Sequence, residues 1–513
     1  MLAKTFGAAH YGVDAVLITI EVNVLSSGNK FFLVGLPDNA VKESEQRVYS
    51  SLKNNGFKMP RQQVVINMAP ADIRKQGASY DLPIALAILT ASEQLNAPIE
   101  EYMIMGELAL DGTLRPIKGA LPLAIEARKQ GLKGFILPKE NASEAAIVNK
   151  LEIIGVETLA EAVAHLEGLQ LISPTVVDTR EIFLHEVDEF DLDFAEVQGQ
   201  QNIKRALEIA AAGGHNVLMI GPPGAGKTML AQRVPSILPP LSLSEALETT
   251  KIHSVAGKLK KNTALISKRP FRAPHHTISD VALVGGGSNP MPGEISLAHN
   301  GVLFLDELTE FKRTTLEVLR QPLEHREVTI SRAKISVDYP ANFMLIASMN
   351  PTPFGFQGKA GQDAFWNVDT VHKAISKLSG PLLDRIDMHL EVNPVSFDEM
   401  TAREKGEPSQ EIRKRVIKAR QMQLARFEKT PNIHSNSMMN SQQISAFCSI
   451  DKDGKVLLKS AMERMGFSAR TYDRILKVSR TIADLSGSEK IRIEHLAEAI
   501  QYRNLDKEQV TPQ

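Results

Sequence analysis

Period-two alternation of apolar and polar residues over Ala15–Val24, Phe31–Leu36 and Val64–Met68 predicts strands, with helices predicted at Leu82–Leu95 and Leu121–Lys129. Two short uninterrupted apolar runs, Val217–Ile220 and Val302–Leu305, predict strands buried on both faces. Val328–Val337 reads as two short strands around Ser331-Arg332-Ala333-Lys334, and Ala347-Ser348-Met349 as a strand ending at Asn350. Beyond about residue 395 strands give way to helices, separated by Pro408, Pro431 and a Ser/Asn-rich stretch at 435–441. One of these helices carries an apolar stripe of Ile475, Val478, Ile482 and Leu485, and places Arg470, Arg474 and Lys477 on a different face. A polar, acidic stretch around 173–193 separates the first α/β region from the rest, so the expected units are 1–172, 190–395 and 396–508.

Composition narrows the picture modestly. The 513 residues carry a formal net charge of −1, so any nucleic-acid contact has to come from local basic patches. The single cysteine, Cys448, cannot form an internal disulfide. No signal-peptide pattern and no apolar run long enough for a membrane span is visible, and a soluble, cytoplasmic protein without a membrane partner is expected.

The chemistry concentrates after the first buried strand. Gly221-Pro222-Pro223-Gly224-Ala225-Gly226-Lys227-Thr228 spells a complete phosphate-binding loop. Its glycines let backbone N–H groups turn toward a β-phosphate, Lys227 reaches the β- and γ-phosphates, and the Thr228 hydroxyl is a Mg²⁺ ligand. A helix beginning there adds its dipole to the anion site. The second buried strand ends in Asp306-Glu307, which suits a carboxylate that holds Mg²⁺ and a base that activates the attacking water. Taken alone, such an acidic pair equally suits a helix N-cap. ATP hydrolysis with Mg²⁺ is the expected activity.

Lys227 and Asp306 lie 79 positions apart, with Gly285-Gly286-Gly287 and Arg269-Pro270-Phe271-Arg272-Ala273-Pro274-His275-His276 between them. These segments, together with Gly293–Glu307 and Gly380-Pro381-Leu382-Leu383-Asp384-Arg385-Ile386-Asp387, resemble the magnesium-chelatase-like AAA+ ATPases of the YifB/ComM group over nearly the whole chain. The resemblance implies an α/β architecture in three parts. These are an amino-terminal domain of Lon-protease-like (ribosomal S5 domain 2-type) fold, an AAA+ P-loop core with a parallel sheet, and a C-terminal helical lid. It further implies Asn350 as the polar sensor of the attacking water, although a strand end closed by an Asn turn fits the same residue. By the same likeness Arg385 is an arginine finger toward a neighbouring subunit, with a local ion pair to Asp384 or Asp387 as the alternative. Arg470, in the first turn of its helix, would be the lid's sensor arginine; the helix dipole disfavours a cation there unless an anion such as a γ-phosphate approaches, and a solvated surface residue is the other reading. The hairpin with Arg332 and Lys334, and Lys258, Lys260 and Lys261 of the inserted region, are the expected contacts to a nucleic-acid backbone. The group's activity implies a homo-hexameric ring acting on single-stranded or branched DNA, helicase-like in branch migration of transforming DNA. Protein remodelling and chelatase-type metal insertion are the alternatives.

Four features depart from this likeness or imitate another. Members of the group often carry a cysteine motif after the sensor asparagine, but Pro351-Thr352-Pro353-Phe354-Gly355-Phe356 has no thiolate, so no zinc site is expected. Adjacent side chains diverge, and His275-His276 is expected to be polar loop rather than a metal site. Ser79 stands where a Lon-type nucleophile would, yet Leu123 occupies the place of its lysine and Lys118 is displaced, which implies a proteolytically dead domain. Asp484-Leu485-Ser486-Gly487-Ser488 matches a metal-adhesion pattern but is expected to end a helix.

Overall fold

A computed structural model describes residues 1–503 except 27, 29, 180–189, 261–262, 288–289, 333–334, 351–377, 396–405 and 431–432. Alternation builds the first sheet. Leu2–Tyr11 and Asp14–Leu25 form an antiparallel pair turned at Gly12, with inward residues such as Ile18, Ile20 and Val22 fully buried. The seven-stranded order is Phe31–Val34, Gln63–Ala69, Asp14–Leu25, Leu2–Tyr11, Tyr102–Ile104, Gly134–Pro138 and Glu152–Val156. Helices Asp81–Ala91 and Ala120–Lys129 pack on its central strands. The first is apolar all round because it is covered on every side, which is why no amphipathic stripe marks it.

The second sheet is parallel throughout, in the order Phe271–Arg272, Val302–Leu305, Met344–Met349, Val217–Ile220 and Met388–Glu391. Its three central strands are uninterrupted apolar runs apart from Ser348, as burial on both faces demands. The short edge strand Phe271–Arg272 lies within the Arg269–His276 block and gave no periodic signal. Glu327–Arg332 and Ile335–Pro340 pair as the expected hairpin.

Helices Ser409–Phe427, Ser441–Phe447, Lys452–Met465, Ala469–Leu485 and Ile493–Gln501 follow. Ser468 caps Ala469–Leu485 by accepting from the Thr471 N–H at 3.2 Å, and Ile475, Val478 and Ile482 bury the stripe while Leu485 is half-buried at its end. This helix and Ser409–Phe427 both pack on Gln201–Gly213, joining the C-terminal helices to the parallel sheet in one apolar core.

Helix Leu243–Val255 bridges the two sheets' territories. Ala246 belongs to the apolar core of the amino-terminal region, and Ser254 accepts from the Gly119 N–H at 3.1 Å while its hydroxyl donates to the buried Glu144. Burial pushes the Glu144 carboxyl up, against the Ser254 and Leu121 donors that favour its charge. At the turn of the first hairpin, Tyr11 donates to the Ser336 carbonyl at 3.2 Å and Val13 packs into the core containing Val328, Ile330 and Val337. Among the described residues no helix is long and apolar enough to cross a membrane.

Candidate functional site

The carboxyl ends of three parallel strands converge on one point. Val217–Ile220 runs into the glycine-rich loop, Val302–Leu305 into Asp306-Glu307, and Met344–Met349 into Asn350. Gly226 has φ +89°, a left-handed conformation that only glycine enters without strain, and it starts helix Lys227–Arg233. A Cβ on Gly221 would lie 2.3 Å from the Val392 carbonyl oxygen, so the loop also needs glycine for close backbone approach.

Lys227 is 7% exposed. Its Nζ donates to the carbonyls of Gly221 (2.7 Å) and Pro222 (2.9 Å) and to Asn350 Oδ1 (2.9 Å). All three acceptors are neutral, and burial holds the ammonium below the usual lysine range, partly opposed by the Asp306 and Glu307 carboxylates. A buried cation with only neutral acceptors is matched to an incoming anion. The residues therefore fit a polyphosphate.

Asp306 is held at both oxygens. Thr228 Oγ1 donates to Oδ2 at 2.8 Å, while the Ser348 hydroxyl and the Glu307 N–H (3.1 Å) donate to Oδ1. A hydroxyl and an oriented carboxylate side by side are the oxygen donors that Mg²⁺ takes. Glu307 has φ 53°, a left-handed conformation uncommon outside glycine, which leaves its side chain exposed beside the loop. His276 Nδ1 lies 3.7 Å from Glu307 Oε2, and its ring sits 4.0 Å from that of His275 and edge-on to Phe311.

Asn350 accepts from Lys227, and the structure brings it to the same point as Lys227, Thr228, Asp306 and Glu307; the residues that would form a turn after it lie outside the described residues. Two neighbours were not read from sequence as part of this site, and the adjacent rings of His275 and His276, expected to diverge, lie together. Ser348 could have been found as the lone hydroxyl in an apolar buried strand, whereas His276 reaches Glu307 only because Phe271–Arg272 pairs with Val302–Leu303.

Arg385 and Arg470 lie elsewhere. The Arg385 guanidinium is paired with Glu324 and donates to the Pro381 carbonyl at 2.6 Å, while Arg470 is 3.2 Å from Asp384. Both line a cavity of about 150 Å³ with Glu324, Asp384 and Arg474. Neither forms a hydrogen bond or ion pair with the loop, Asp306 or Glu307 among the described residues.

The remaining candidates are also accounted for. Leu123 is buried and the Lys118 side chain lies along Gly257, not against Ser79, whose carbonyl accepts from Gly106 at 2.7 Å. Lys258 and Lys260 are exposed; Lys261, Lys334 and the 351–356 segment lie outside the described residues, and Arg332 takes part in the hairpin through its backbone. Asp484 is buried and paired with Arg426 (2.5 Å) and Arg480 (3.1 Å) near the end of its helix.

Lys227→Ala should weaken ATP binding by about 1.5–3 kcal/mol or more, the worth of hydrogen bonds to a charged group, with secondary structure intact. Titration with a fluorescent ATP analogue checks this; unchanged affinity would remove Lys227 from the site.

Profiles of three magnesium-chelatase families match the chain: "Subunit ChlI of Mg-chelatase" at residues 20–141, "Magnesium chelatase, subunit ChlI" at 193–400 and the "subunit ChlI C-terminal" family at 406–503. The chain is 43% identical over 504 residues to competence protein ComM of Haemophilus influenzae, covering 98% of this chain and 97% of that protein. It is 43% identical over 508 residues to YifB of Escherichia coli, covering 97% and 96%. A chloroplastic magnesium-chelatase subunit ChlI of Oryza sativa is 23% identical over 344 residues, 60% of this chain and 73% of that subunit.

Proposed function

The chain belongs to the magnesium-chelatase-like YifB/ComM group, and from that premise we propose that it is an ATP-hydrolysing ring motor that moves DNA, helicase-like, in recombination of incoming strands. The observation that supports hydrolysis best is the linked set Thr228–Asp306 and Lys227–Asn350 with Glu307 exposed beside it. We read the chain as three units, 1–172, 190–395 and 396–508: an inactive Lon-like domain, an AAA+ core and a helical lid.

In this mechanism the loop N–H groups and Lys227 bind and orient the polyphosphate, and Lys227 exchanges its neutral acceptors for phosphoryl oxygens. Mg²⁺, held by Thr228 and Asp306, would neutralise charge on those oxygens. Asn350, released by Lys227, positions the water, and Glu307 takes its proton. Arg385, which has no tie to its own loop among the described residues, acts as an arginine finger on the nucleotide of the adjacent subunit, and Arg470 serves as the lid's sensor of a γ-phosphate. That division makes the site complete only in an oligomer, for which we propose a homo-hexamer.

The DNA reading rests on the name of the ComM relative and on the exposed lysines Lys258 and Lys260. Steady-state ATPase with single-stranded, duplex and four-way-junction DNA tests it. Stimulation should fall with added salt, and replacing Lys258 and Lys260 by Ala should flatten the logarithmic salt dependence by about 0.7 per lost contact on single strands. Robust basal turnover with no response to any DNA would transfer the proposal to protein remodelling.

A further inference from the structure

A second polar cavity lies at the amino ends of the parallel strands, opposite the glycine-rich loop. It is half-closed, about 60 Å³, and sits where Gly214 and Phe343 lead into strands Val217–Ile220 and Met344–Met349. Three arginines line it, Arg269, Arg326 and Arg420, together with a single carboxylate, Glu245. Arg269 is paired with Glu245 at 3.3 Å and donates to the Pro239, Pro240 and Asn300 carbonyls. The other two guanidiniums have only neutral acceptors among the described residues: Arg420 donates to the carbonyls of Ala212 (3.1 Å), Ala211 (3.1 Å) and His434 (3.5 Å), and Arg326 to Asn342 Oδ1.

Among the described residues, neither of these two guanidiniums is paired with a carboxylate; Asp387 and Glu245 act on Arg326 and Arg420 only through space. Ala211 and Ala212 lie in the last turn of helix Gln201–Gly213, whose end carries only about half an elementary negative charge. Burial, then repulsion from Arg269 and Arg326, pushes Arg420 down to about 9, with Glu245 opposing; burial pushes Arg326 down to about 10, with Asp387 opposing and Arg474 adding repulsion. Arginine does not give up its proton under ordinary conditions, so the unmet demand is for an anion and not for neutralisation.

We propose that this cavity binds a small tetrahedral oxyanion of the phosphate class. A dianion would balance the two guanidiniums that have only neutral hydrogen-bond acceptors, and planar guanidinium groups match its oxygens. At roughly 10–15 Å³ of such volume per water, the space suits one oxyanion and excludes a nucleotide. The Ser435 and Ser437 hydroxyls, 3.1 Å apart on the wall, supply further donors. Arg269 and Arg326 come from the sheet region, and Arg420, Ser435 and Ser437 from the C-terminal helical region, so the bound oxyanion ties one to the other.

The test uses the full-length chain carrying Lys227→Ala, which weakens phosphate binding at the glycine-rich loop. Thermal midpoints are compared in sodium phosphate and sodium chloride at equal ionic strength. Phosphate should raise the midpoint by several degrees by mass action on the folded state, and sulfate should do the same. Adding Arg326→Gln or Arg420→Gln should abolish most of that rise. Because Arg420→Gln also withdraws donors from two helix-end carbonyls, the readout is the phosphate-induced rise in each variant and not its absolute midpoint. No phosphate-specific rise, or a rise that survives both arginine substitutions, overturns the proposal.

Discussion

Replacing Glu307 by Gln should leave ATP affinity within about threefold of wild type while lowering turnover by about 10²–10⁴-fold, the usual contribution of a positioned general base. The side chain is exposed, no hydrogen bond to its carboxylate links it to the described residues, and His276 Nδ1 lies 3.7 Å from it. Gln keeps the shape but cannot take a proton from water, and it leaves Asp306 with its Thr228 and Ser348 donors intact. Binding and chemistry therefore separate cleanly in this variant. Single-turnover kinetics beside nucleotide titration would show it, and equal turnover in both proteins would exclude Glu307 as the base.

Arg385→Ala should lower turnover by about 10³–10⁵-fold, the range of an arginine finger, without loss of nucleotide binding. The decisive measurement is a mixture. Subunits carrying Lys227→Ala retain Arg385, and subunits carrying Arg385→Ala retain the loop, so a junction between them in one order holds a complete site. Activity should reappear on mixing two preparations that are each inactive. If it does not, Arg385 serves its own chain, through the pairing with Glu324 that the isolated subunit already displays.

What was legible in the sequence was what short-range spacing determines. The glycine-rich loop, Asp306-Glu307 and Asn350 each follow an apolar run, and buried parallel strands present their carboxyl ends to a common point, so local patterns were enough to bring them together. The capped helix Ala469–Leu485 was similarly readable from its stripe. Contacts that depend on distant pairing were not. His276 meets Glu307 through a two-residue edge strand, too short to carry a period. Arg269, Arg326 and Arg420 look like ordinary surface cations in sequence, and only the closing of the sheet region against the C-terminal helices turns them toward one cavity. Helix Leu243–Val255 lies in the sequence between the loop and Asp306, yet it contributes to the apolar core of the amino-terminal region.

That last attachment, together with Tyr11 bonded to Ser336 and Val13 seated beneath the hairpin, fixes how force can travel. A Cβ on Gly12 would already collide with Val337 at 2.6 Å, so the turn and the hairpin are in close packing contact. The strands of the hairpin are thus in contact with the first antiparallel pair, which helix Leu243–Val255 in turn connects to the segment that follows the loop. The amino-terminal sheet is a footing: cut it away, and the hairpin becomes a lever without a fulcrum.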